Sequence, residues 1–99
     1  MKHKKLTDLT KEVLDDDIEM QLAYLRASFE DNYDMPEAIM AAIREVAEVR
    51  GVGHLAEASD LNRENLYRVL SGNTYPRIDT FFKILNALGM RLTVEKSAS

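Results

Sequence analysis

The sequence predicts a mainly α fold: a bundle of about five helices followed by one short C-terminal β-strand. Three observations predict it. Apolar residues recur at helical spacing in four separate runs between residues 18 and 88, each bounded by residues that start or stop helices. One of these runs, VGHLAEASDLNRENLYRVLSG at residues 52–72, breaks its spacing once, around Ser59 and Asp60, and so reads as two short helices joined by a tight turn. After Gly89 the period falls from 3.6 to 2, with Leu92 and Val94 on one side and Arg91, Thr93 and Glu95 on the other.

Taken in order, residues 1–13 alternate charge with Leu6, Leu9 and Val13, which predicts an extended or unordered lead-in. Asp15, Asp16 and Asp17 precede an apolar series at Ile18, Leu22, Leu25 and Phe29. Carboxylates favour the positive end of a helix dipole, so the acidic run reads as a cap; no further hard oxygen ligands follow in a loop that would make it a metal site. Asp34-Met35-Pro36-Glu37 has the pattern of a capping box with proline in the first turn. The helix it opens carries Ile39, Ile43, Val46 and Val49 inward and stops at Gly51. Met20, Met35 and Met40 are expected to fill gaps in the core, and Arg44 and Glu48, four apart, to form an exposed pair.

In the interrupted run, Leu55 and Ala56 give the first helix its inward face, and Ala56 is small enough for a second helix to cross close over it. Asn62 is a good N-cap for the second helix, Leu66, Val69 and Leu70 supply its apolar stripe, and Gly72 supplies the left-handed residue that ends it. Its outward side chains are Arg63, Glu64, Asn65, Tyr67, Arg68 and Ser71. Arginine pairs with guanine, asparagine with adenine, and glutamate accepts from cytosine, so this face holds the groups that read base edges. A polar helix face is otherwise ordinary; the spacing of the two helices is what gives it a function. His54 opens the first helix as a polar residue near the place where such a helix meets a phosphate backbone. The loop Asn73-Thr74-Tyr75-Pro76-Arg77 follows. A last helix is expected to be capped by Asp79, with Phe81, Phe82, Leu85 and Leu88 facing the core.

The stretch at residues 52–72 resembles the helix-turn-helix of lambda-repressor-like (Xre/Cro-type) regulators, with Ala56 at their small position and Leu66 and Val69 at their apolar positions in the recognition helix. Their turn usually has glycine where this chain has Asp60, one of the few other residues that tolerate positive φ. From Asp34 to Gly89 the chain is also similar to the antidote (antitoxin) proteins of HigA-like addiction modules, most closely at residues 62–72 and 76–89. The resemblance implies a lambda-repressor-like helix-turn-helix bundle that binds double-stranded DNA at a palindromic operator, represses its own operon and neutralises a cognate toxin, typically a small basic ribonuclease. It also makes Asn73, Tyr75 and Arg77 candidate phosphate contacts. The DNA-binding candidates are then His54, Asn62, Arg63, Glu64, Asn65, Tyr67, Arg68, Ser71, Asn73, Tyr75 and Arg77.

Length and composition set the frame. Ninety-nine residues suit one globular unit, divided here into an acidic N-terminal segment and helix (1–33), a DNA-binding domain (34–89) and a C-terminal strand and tail (90–99). There is no cysteine, which excludes a disulfide scaffold and a cysteine-based zinc site and fits a reducing cytoplasm. No stretch of 18 apolar residues predicts a membrane span, and the N-terminus lacks the apolar segment of an export signal. Neither a nucleophile triad, an HExxH motif nor a glycine-rich phosphate loop is present, so no enzyme, metal or cofactor is expected. Lys and Arg number 13 against 17 acidic residues, for a net −4. Residues 1–37 carry −5 of this and residues 38–99 carry +1. A near-neutral DNA reader neutralises few phosphates by itself and depends on dimerisation. A lone strand must find its hydrogen bonds elsewhere, so Leu92 and Val94 are expected to pair with a second copy and to set two recognition helices about 34 Å apart. The acidic N-terminal segment suits a basic partner. Two other readings stay open: a free-standing phage-type regulator, and an interaction module that keeps the motif without binding DNA, which the acidic total and Glu64 allow.

Overall fold

The computed structural model describes residues 14, 15 and 17–97, and the expectation for residues 1–13 lies outside them. Among the described residues five helices follow one another: α1 (Ile18–Asp31), α2 (Pro36–Arg50), α3 (Val52–Ser59), α4 (Arg63–Leu70) and α5 (Ile78–Ala87). The core is made by Leu25 of α1, Met40, Ala42, Ile43, Val46 and Ala47 of α2, Leu55 and Ala56 of α3, Leu66, Val69 and Leu70 of α4, and Ile84 and Leu85 of α5. Long α2 is the central element: α1, α3 and α4 all pack on it, and α3 also packs on α4 and α5. None of the described helices is long and apolar enough to cross a membrane.

Asp17 caps α1 as the acidic run implies, its Oδ1 accepting from the Met20 amide at 3.0 Å. The inward face of α1, however, is turned from the expected one. Ile18 is 59% exposed, Leu22 and Phe29 are half-buried, and Gln21 is buried beside Leu25. The reason is a hydrogen-bond network. Gln21 Nε2 donates to the Leu14 carbonyl at 3.0 Å, its Oε1 accepts from Arg50 Nε, and Arg50 Nη2 donates to the Leu88 carbonyl at 3.0 Å. Every polar atom of the inward amide is thus given a partner, which removes the penalty for burying it. Nearby, Tyr24 donates from its hydroxyl to the Glu45 carboxylate. Burial first, and then this acceptor and its charge, push the phenol up to about 12.

Four local expectations are corrected. The capping box at Asp34 does not form: α2 has Met35 at its cap position with no side-chain bond, because Pro36 occupies the first turn and Met35 has no oxygen to offer. Asp79 is inside α5 rather than at its cap, which is Arg77, and its Oδ1 accepts from the Thr80 amide at 2.9 Å. Of the adjacent phenylalanines only Phe81 turns toward the core, with its ring centroid 6.4 Å from that of Phe29, while Phe82 is exposed. At about 100° per residue, Phe82 falls outside the stripe that Phe81, Ile84, Leu85 and Leu88 share. Met40 is buried as expected, but Met20 and Met35 are exposed.

The C-terminal strand is likewise absent among the described residues: residues 91–97 form no ladder, and Val94 is 95% exposed. Among the described residues there is no other strand with which residues 91–97 could form a ladder.

The turn between α3 and α4 is as the sequence predicts. Asp60 has φ 61° and ψ 25°, the left-handed conformation, and Asn62 caps α4 by accepting from the Asn65 amide at 2.6 Å. Left-handed backbone costs a residue with a Cβ roughly 1–2 kcal/mol, offset in part by the extra freedom glycine loses on folding. Asp60→Gly is therefore expected to stabilise the protein by up to about 1 kcal/mol. Urea unfolding checks this, and an unchanged or lower midpoint would show that the aspartate makes up its own cost.

Candidate nucleic-acid interface

Three features hold α4 in place. Asn62 closes its start, Leu66, Val69 and Leu70 are buried beneath it, and Gly72 at φ 86° ends it. A fourth comes from a distance: Arg44 of α2 donates from Nη1 to the Leu70 carbonyl at 3.2 Å, placing a cation at the negative end of the helix. With the apolar side sealed, the opposite side faces solvent. Arg63, Glu64, Tyr67, Arg68 and Ser71 are exposed and Asn65 is half-buried.

The exposed side chains fall into connected groups. Asn62, Glu64, Asn65 and Arg68 line one groove. Asn65 and Arg68 reappear in a second, with Thr74, Tyr75, Pro76, Arg77 and Thr80, so the helix and the following loop form one continuous surface. Within it Asn65 Oδ1 accepts from Arg68 Nη2, which fixes the guanidinium along the helix. Arg77 Nε lies 3.4 Å from Asp79 Oδ1, an exposed pair of small energetic weight. A third group, in a depression on α3, brings His54 together with Arg63, beside Gly53 and Glu57.

Not every candidate is free to touch a ligand. Asn62 uses its side-chain oxygen as the cap. Ser71 Oγ donates to the Arg68 carbonyl at 2.6 Å and accepts from the Asn73 amide at 3.4 Å, so its hydroxyl shapes the end of α4. Tyr67 and Ser71 line none of the three groups. The sequence reading missed Thr74 and Thr80, which line the Arg68 groove, and missed the bond from Arg44 to the Leu70 carbonyl. Arg44 and Leu70 are far apart in the chain, and no local pattern links them. Among the described residues no cluster of His, Asp and Glu could hold a metal ion.

These elements define a small helical protein with a well-anchored short helix whose polar side, bearing two arginines, is turned outward. The chain belongs to the family of probable addiction module antidote proteins, whose sequence profile matches residues 5–96. It is also similar to an uncharacterized protein of Haemophilus influenzae, with 32% identity over 79 residues, covering 80% of this chain and 78% of that one. No solved structure matches it. The antidote side of the resemblance drawn from residues 34–89 is thereby met.

Proposed function

We propose that the protein is the antitoxin of a type II toxin-antitoxin module of HigA-like type, and that it binds its own operator through an Xre/Cro-type helix-turn-helix formed by α3 and α4. The observation that carries this reading is the capped α4 with Leu66 and Val69 inside and Asn65 and Arg68 outside, joined to each other and to the loop that bears Tyr75 and Arg77. α4 enters the major groove, α3 crosses the backbone, and the loop follows the phosphates. Two copies act together at a palindrome, and the exposed C-terminal segment bearing Leu92 and Val94 supplies the pairing edge. The toxin is a basic protein. Asp15, Asp17, Glu19, Glu30, Asp31, Asp34 and Glu37 are all exposed on and around α1, which packs on α2 and leaves α4 clear for DNA.

The test is retardation of a DNA fragment carrying the protein's own promoter, measured across a salt series. Operator binding is expected with an affinity that falls as salt rises, since phosphate neutralisation releases counterions. No preference for this fragment over unrelated DNA would remove the regulator and leave a protein-interaction module. Co-purification with the product of the adjacent reading frame tests the antidote half independently, and a free-standing regulator would bring none.

A further inference from the structure

Gly53 lies in the first turn of α3, inside a helix and without positive φ, so its backbone does not require glycine. What it lacks is room. A Cβ placed there would stand 2.7 Å from Arg63 Nη2, 3.2 Å from Cζ and 3.4 Å from Nε. The guanidinium of Arg63 therefore rests against the bare α-carbon of Gly53, on the flank of α3. His54 and Glu57 line the same depression. Among the described residues Arg63 makes no hydrogen bond or ion pair that would seat it elsewhere.

We propose that Gly53 is a positioning residue for Arg63: by having no side chain it seats the guanidinium on α3, where it meets a DNA phosphate and not a base edge. In this docking arrangement the first helix crosses the backbone and the second enters the groove, so a cation drawn back onto the first helix faces the sugar-phosphate chain. The inference rests on the DNA-binding function proposed above, and it changes the sequence-based assignment of Arg63 as a base reader. Arg68, held along α4 by Asn65, keeps that role.

The assignment has an unusual signature, because Gly53→Ala improves the helix and harms the contact. Alanine is the better helix former by about 1 kcal/mol, and the atoms it would meet are the far end of a flexible side chain, which moves aside. Wild type, Gly53→Ala, Arg63→Ala and the double variant are compared for binding to the promoter fragment across a salt series, for discrimination among single-base operator variants, and for thermal stability. Gly53→Ala and Arg63→Ala are each expected to weaken binding roughly three- to tenfold at low salt and to lower the salt slope by about 0.9 per bound copy. Preference among operator variants stays as in wild type. The double variant binds no more weakly than Arg63→Ala, and Gly53→Ala melts no lower than wild type. Wild-type affinity in Gly53→Ala, losses that add in the double variant, or relaxed base preference in Arg63→Ala would each overturn the assignment. Should the wild type itself ignore the promoter fragment, the DNA-binding function fails and this inference with it, an outcome visible before any variant is compared.

Discussion

Leu66→Ala is expected to lower the unfolding free energy by about 2–5 kcal/mol, the range for truncating a buried leucine. Leu66 is 0% exposed and sits on the inward side of α4, the helix that packs on both α2 and α3. The range reflects how far neighbours can collapse into the space left behind, and here they are poorly placed to do so. α4 is fixed at both ends, by Asn62 at its start and by Arg44 and Gly72 at its finish, so it cannot sink inward as a body. For a chain of this size each kcal/mol lowers the melting temperature by about 4–8 °C. Calorimetric or circular-dichroism melting checks it. A loss well under 1 kcal/mol would mean that α4 is loosely attached.

Arg68→Ala is expected to cost about 1–3 kcal/mol of operator affinity and to relax the preference at one base pair. Freezing a long side chain on binding ordinarily offsets much of what its hydrogen bonds contribute. Here Asn65 Oδ1 already holds the guanidinium, so part of that ordering is complete before DNA arrives. Asn65→Ala should accordingly weaken binding with Arg68 still present, by less than the loss of Arg68 itself. Binding to a set of operator variants reads both. Uniform weakening across all of them would place Arg68 on a phosphate.

The two predictions rest on features of different legibility. The path of the backbone around α4 was open to reading because its determinants are local. Asn62 caps through an amide three residues away, Gly72 and Asp60 take conformations that few residue types tolerate, and Leu66, Val69 and Leu70 share a face by helical geometry alone. Where several local signals compete, the reading slipped by a residue or two. Asp34 gave way to Met35 once Pro36 fixed the first turn, and Asp79 gave way to Arg77. Contacts between distant residues were not legible at all. A glutamine in an apolar stripe looks like an outward residue until Arg50 and the Leu14 carbonyl are found beside it. The bond from Arg44 to the end of α4 joins residues 26 apart in sequence, and no local pattern announces it. Among the candidate DNA contacts, residue type and outward position could be read from helical spacing. The drawing back of Arg63 onto Gly53 could not, because it depends on how α3 crosses α4.

Arg50 has a wider consequence. Through one side chain it fastens the amide of Gln21, near the beginning of the described chain, to the carbonyl of Leu88, just past the last helix. Both extremities are thereby moored to the same post at the foot of α2. A fragment cut to begin at Asp34 would keep every candidate DNA contact, yet it would lose the acceptor that Gln21 provides and the cover that α1 lays over α2. The acidic helix is thus a buttress for the helices that follow it, and whatever pries it loose also slackens the far end of the chain.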